Sequence, residues 1–288
     1  MTRFSNASVT RRPGVLSALP LALLLVTGSA LAAPASTPQK AAPTSQTSPA
    51  REVIQPLVLL AHQQLLEGDL ASAQALLRQA GAQGQGGPRA LAEQAFIEDA
   101  SGRHMRARQF YDALKGSNQA AVIAVPAAVN LAELGRFESS RKAFGQLQRQ
   151  SANAQVKAYA GLWKLWLAAR TASDAGVKPE TTKAQVQKLA RAIQPATAQQ
   201  RALLALYQGK TDVSAVFAEI DTLQAPDAVK RDLRTEAGLF AGAYLDYVRQ
   251  DHASALRTYQ RALQQSRPTA MERPLLIQTS RALQLSSR

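Results

Sequence analysis

LLEGDLASAQALLRQA (65–80), EDASGRHMRARQFYDAL (98–114) and ELGRFESSRKAFGQL (133–147) are three versions of one corner. Each carries a glycine, Gly68, Gly102 and Gly135, and these lie 34 and 33 residues apart. Seven residues before each glycine stands an alanine: Ala61, Ala95 and Ala128. After the glycines come Ala73, Leu77 and Ala80, then Ala107, Tyr111 and Leu114, then Phe137, Ser140, Phe144 and Leu147. The physical reading is a pair of antiparallel helices. Small residues let the two axes approach closely, and the glycine permits the tight turn between them. The large residue fills the gap beneath the next pair. One hairpin alone leaves an apolar face open, so several must stack.

The pattern resembles the tetratricopeptide (TPR) repeat. It returns at Ala237 to Ser266, where Leu239, Ala243, Ala255, Tyr259 and Ala262 take the repeat positions and Gln250-Asp251 stands at the turn. Between these regions the phase continues less regularly. A helix runs from Ala154 to about Arg170, and Thr171 to Thr182 reads as an extended loop. A helix at Lys183 to Gln194 is ended by Pro195. A short hairpin turns at Gly209-Lys210-Thr211, with helices at Ala198–Gln208 and Asp212–Gln224. Residues 270–285 form a closing helix with a solvent-facing side. Pro126 falls inside a repeat helix, where it either starts a shortened helix or kinks a longer one. The expected fold is all-α: an α-solenoid of TPR-like helical hairpins, about six of them, with a C-terminal capping helix. Ala, Leu, Gln and Arg dominate the composition and favour helix.

The first fifty residues read differently. Met1 to Gly14 is polar and basic, and VLSALPLALLLVTGSALAA (15–33) is apolar with Ala30-Leu31-Ala32 near its end. This is the form of a secretory signal peptide, residues 1–32, cleaved after Ala32. Residues 33–50, APASTPQKAAPTSQTSPA, have no apolar face to bury and form a disordered linker. The solenoid then occupies 51–288. Thr10-Arg11-Arg12 hints at twin-arginine export, against which stand Pro13 and Gly14. The expected location is the periplasm, with no stable membrane anchor after cleavage.

The chain carries a net charge of +14, which alone would favour nucleic acid, an anionic membrane surface or an acidic protein. Export argues against nucleic acid and against ATP-dependent chemistry. With no cysteine there is no disulfide, no catalytic thiol and no lipid attachment through an N-terminal cysteine. His62, His104 and His252 are far apart in sequence and read as repeat residues, with no HExxH spacing. Ser139-Ser140-Arg141-Lys142 contains a Ser-x-x-Lys without its companion motifs. Gly209-Lys210-Thr211 lacks the earlier glycine of a phosphate loop, Leu204 standing there instead. Neither catalytic nor metal-binding residues are assigned, no cofactor is expected, and the chain reads as a binding protein, not an enzyme.

From Ala152 to Leu283 the order of features resembles the NlpI family of envelope TPR lipoproteins. The carrying stretches are Leu162 to Ala168 (LWKLWLA), Leu206-Tyr207-Gln208-Gly209-Lys210, and EAGLFAGAYLDYVRQDHASALRTYQRAL (236–263). The resemblance implies an adaptor that brings peptidoglycan hydrolases and a protease together, often as a homodimer. The family's lipid-bearing cysteine is missing here. The expected partners are envelope proteins or peptides. The alternative is an accessory assembly protein of a secretion, pilus or exopolysaccharide system.

In such a stack the first helix of each pair lines the concave wall. That places Val58, His62, Phe96, Val129, Tyr159, Trp163, Trp166, Phe240, Tyr244 and Tyr247 along a partner-binding groove. The competing reading is that these side chains are packed core, or are covered by the C-terminal helix or a second subunit. Arg78, Arg106, Arg108, Arg141, Lys142 and Arg149 fall on the second helices, where the expected role is a solvated convex face.

Overall fold

The computed structural model describes residues 56–286; residues 1–55, which include the stretches read as a signal peptide and a linker, and residues 287–288 lie outside the described part. Among the described residues there are thirteen α-helices and no strand. The first three hairpins are α1 (Pro56–Glu67) with α2 (Leu70–Ala82), α3 (Pro88–Ala100) with α4 (His104–Ala113), and α5 (Ala120–Glu133) with α6 (Phe137–Gln150). The next two are α7 (Ala154–Asp174) with α8 (Pro179–Arg191) and α9 (Ala198–Tyr207) with α10 (Val213–Thr222). The sixth is α11 (Asp227–Ala243) with α12 (His252–Gln265), and α13 (Arg273–Ser286) closes the chain. Each helix packs chiefly on its neighbours in sequence, the arrangement of an α-solenoid. None is long and apolar enough to cross a membrane.

The corners form as their residues dictate. Gly68, Gly102 and Gly135 sit at φ +89°, +75° and +70°, the left-handed region that costs a side chain energy. At the sixth corner Gln250 takes this place at φ +54°. Aspartates then cap the following helices: Asp69 accepts from the Ser72 amide and Asp251 from the Ser254 amide. The small residues Ala61, Ala95, Ala128, Ala73, Ala107 and Ser140 are all buried, as are the large residues Leu77, Tyr111, Phe144 and Tyr259. Ser140 donates to the Ala128 carbonyl at 2.8 Å, so its hydroxyl is satisfied inside the hairpin.

Two elements differ from the sequence reading, and a third settles an alternative that it left open. The loop expected at 171–182 is only residues 175–178, because α7 runs on to Asp174 and α8 starts at Pro179. Proline at the first helical position loses nothing, since its missing N–H would have had no partner there. Helix α5 is the longer of the two alternatives at Pro126 and carries the proline in its interior. After Ala243 the backbone widens into a π-helical turn, Tyr244–Val248, before the last corner.

The C-terminal segment does more than cap. Leu275 and Leu276 of α13 are buried, while Ile277 and Leu285 remain exposed. Helix α13 packs on α12 and also reaches α3, in the fold's first half. Between α12 and α13, Arg267 donates to the Leu66 carbonyl of α1 at 2.9 Å, and Gly68 rests against Pro268. Gln278 donates to the Glu133 carbonyl of α5. The superhelix is thereby closed by a seam between its first hairpins and its last.

Candidate functional site

Eight of the ten groove residues read from the sequence are buried: Val58, Val129, Tyr159, Trp163, Trp166, Phe240, Tyr244 and Tyr247. His62 and Phe96 are half-buried. The aromatic members form one cluster. Trp163 stacks on Phe144 at 5.2 Å between centroids and meets Phe240 edge-on at 5.5 Å. Trp166 meets Tyr247 and Phe137 in the same edge-to-face manner. Helix α11 folds back onto α7, so the faces that an open stack would present are pressed together. These aromatics hold hairpins four and six to each other and are closed to a partner in the single chain.

What stays open is a cavity of about 140 Å³ on the inner side of the seam. Phe96, Val129 and Tyr159 are the members of the expected groove that reach its wall. Leu65, Pro126 and Met271 add apolar surface. The other wall residues come from far apart in sequence: Asp99, Tyr111, Glu133, Asp232, Glu236, Arg267 and Glu272. Five carboxyl groups and one guanidinium thus share one partly enclosed space.

Each acid has a distinct environment. Asp232 on α11 takes a two-pronged ion pair from Arg267, Nε to Oδ1 at 2.8 Å and Nη2 to Oδ2 at 2.7 Å. Glu272 accepts from the Tyr159 hydroxyl at 2.6 Å. Glu236 is buried and its Oε1 has no hydrogen-bond partner. Burial and the neighbouring Glu272 charge push the Glu236 carboxyl well above its ordinary range. Burial also raises Glu272, against the opposing pull of the Tyr159 hydrogen bond. The Tyr159 hydroxyl is raised by burial and by both glutamates, so it stays protonated and donating.

At the other end, Asp99 and Glu133 converge on His104. His104 Nδ1 lies 3.1 Å from Asp99 Oδ1 and 3.0 Å from Glu133 Oε2. One N–H cannot serve both acceptors in good geometry. Asn130 Nδ2 supports Asp99 at 2.7 Å and also holds the His104 carbonyl at 2.9 Å. Burial alone would lower the imidazole, but the two carboxylates outweigh it and hold its pKa up to about 10. Glu133 moves upward by burial, against the hydrogen bond from His104. Asp99, His104 and Glu133 bring three metal-ligand atoms within 4.8 Å of one another, a set the sequence spacing does not show. One hydrogen bond, from His104 to Asp99, and the charge attraction of both carboxylates for His104 account for the arrangement. A related contact recurs in the sixth hairpin, where His252 Nδ1 lies 2.8 Å from Asp246.

Outside the cavity, Arg108 departs from the expected solvated face. It is buried, pairs with Asp112, donates to the Ala127 carbonyl at 3.0 Å and lies over the Tyr111 ring. Arg141, Lys142 and Arg149 do form an outer basic patch, which Lys164 of α7 joins. Ser139 and Lys142 are exposed on α6. Gly209 makes the α9–α10 turn at φ +73°.

No family model matches this chain, and no curated protein matches it.

Proposed function

We propose that this chain is an exported, TPR-like scaffold or adaptor that binds other proteins of the cell envelope, peptidoglycan-processing enzymes among them. The observation that carries the reading is the open-sided cavity beside the seam. Its walls mix apolar side chains with a few convergent polar groups, the usual make-up of a binding site. The stacked hairpins supply a rigid frame, and the leader peptide read at residues 1–32 supplies the location. The buried aromatics stiffen that frame, and the bound partner is met at the cavity mouth.

A photocrosslinking residue at Thr269, on the cavity wall, tests this in cells. The expected result is one reproducible envelope protein captured there and not from a position on the basic patch. Capture of a secretion, pilus or exopolysaccharide component would assign the solenoid to that assembly instead. Recovery of the intact leader peptide on cytosolic protein would end the reading.

A further inference from the structure

We propose that the seam cavity is a binding site for an alkylammonium group, a primary amine carried on a short aliphatic chain. The inference deepens the adaptor reading by naming what enters the cavity.

Size and wall chemistry come first. At about 140 Å³ the space is close to the ~150 Å³ apolar cavity that takes benzene in an engineered core, large enough for a few linked methylenes. Phe96, Pro126, Val129 and Met271 offer nothing to a hydrated ion and suit a hydrocarbon stem. The charge is the second argument. A chain of net charge +14 gathers five carboxyl groups around one space and sets a single guanidinium among them. That guanidinium, Arg267, is already engaged by Asp232 and the Leu66 carbonyl. The third is the orphan acceptor. Glu236 is buried on the wall, and its Oε1 meets no donor. An ammonium brings three donors and one positive charge. It answers both the missing hydrogen bond and the repulsion between Glu236 and Glu272.

A proton links the empty and filled states. Burial raises both carboxyls, and the Glu272 charge raises Glu236 further, so the empty cavity favours a proton on the pair. An ammonium takes over that neutralising role, so its entry releases a proton to solvent. The other groups facing the space are accounted for. Asp99 from α3 and Glu133 from α5 hold protonated His104 between them. Tyr111 of α4 and Tyr159 of α7 stay neutral, and Asp232 of α11 is paired with Arg267.

Calorimetric titration of the full chain with pentylamine is the test, with 1-pentanol as the uncharged isostere. Pentylamine is expected to bind saturably and at least about tenfold tighter than pentanol. The measured heat should change with the ionisation enthalpy of the buffer, the mark of proton release. Glu236→Gln should weaken the amine by about tenfold or more, with the helical spectrum unchanged. Glu272→Gln serves as the second variant should the first fail to fold. Equal binding of amine and alcohol, unaltered affinity in both variants, or no saturation by about 10 mM overturns the proposal. Nα-acetyl-lysine methylamide and cadaverine separate the sources. Tighter lysine derivative means a partner's side chain, and tighter cadaverine a free diamine. Crosslinking at Thr269 can still capture an envelope protein if all amines fail, so the two readings fall separately.

Discussion

Replacing Arg267 with alanine should loosen the seam and lower the stability of the whole chain. The side chain makes three hydrogen bonds: two to the Asp232 carboxylate, at 2.8 and 2.7 Å, and one to the Leu66 carbonyl at 2.9 Å. The pair is partly shielded, with side-chain exposures of 22% for Arg267 and 15% for Asp232. A charged hydrogen bond is worth about 1.5–3 kcal/mol when well buried, and residual solvent screening reduces that. About 2 kcal/mol for the fork and about 1 for the carbonyl bond give a loss of about 3 kcal/mol. For a chain of this size that is a fall of about 6–12 °C in melting temperature. Thermal melts of wild type, Arg267→Ala, Asp232→Asn and the double variant measure it. The cycle should return a coupling of about 1–2 kcal/mol between the two residues. Hydrogen exchange should speed up in α1 and α2, because Leu66 is the far anchor of the contact. A melting temperature unmoved by both single changes, with no faster exchange in α1, would mean that the seam is not closed in solution.

Four further outcomes follow from the geometry. His104 binds its proton more tightly folded than unfolded, so its contribution is fully present below pH 6.5 and is lost as pH rises through about 10. Glu133 shifts upward too and acts in the same direction. Melts of wild type and His104→Gln should therefore converge toward alkaline pH, and a gap that widens refutes the assignment. Gly242→Ala should cost about 1–3 kcal/mol or more, because a Cβ there would stand 2.2 Å from the fully buried Tyr259 ring. Gly81→Ala, with nothing within 4 Å of the new Cβ, should instead gain about 0.5–1 kcal/mol in denaturant melts. Gln250→Gly relieves a side chain at φ +54° and should stabilise the sixth corner by about 0.5–1 kcal/mol net of backbone entropy.

The corners were legible because everything that makes them lies within a single hairpin. Gly68, Ala61 and Leu77 interact across a few turns of helix, so their spacing in the sequence is their spacing in space. The closing of the superhelix left no such trace. Arg267 and Leu66 are 201 residues apart, and neither stands out from its neighbours. Which of the groove residues are core and which reach open space was hidden for the same reason. The helical face carrying Trp163 and Phe240 was identified, but nothing local says that α11 folds onto α7 and covers it. One signal for the cavity was present. Glu236 precedes Phe240 and Ala243 on one apolar face of its helix, at spacings of four and seven. Glu133 likewise follows Pro126 and Val129. A carboxylate in an apolar stripe is a group that needs a partner, and that partner comes from outside its own hairpin.

The cavity and the seam share one segment of chain, and that ties binding to closure. Arg267 locks the first hairpin to the last, and Glu272, five residues on, forms part of the cavity wall. An occupant held by Glu236 and Glu272 therefore binds the closed ring more tightly than an opened one. Linkage then requires that it stabilise closure by the same free energy, growing with the logarithm of its concentration once sites are filled. Saturating pentylamine should slow hydrogen exchange in α1 and α2, although neither Glu236 nor Glu272 belongs to those helices. In Arg267→Ala, where closure is weakened, binding should be weaker and the protection smaller. Protection confined to α7 and α11, with α1 and α2 untouched, would show a cavity that fills without sensing whether the ring is shut.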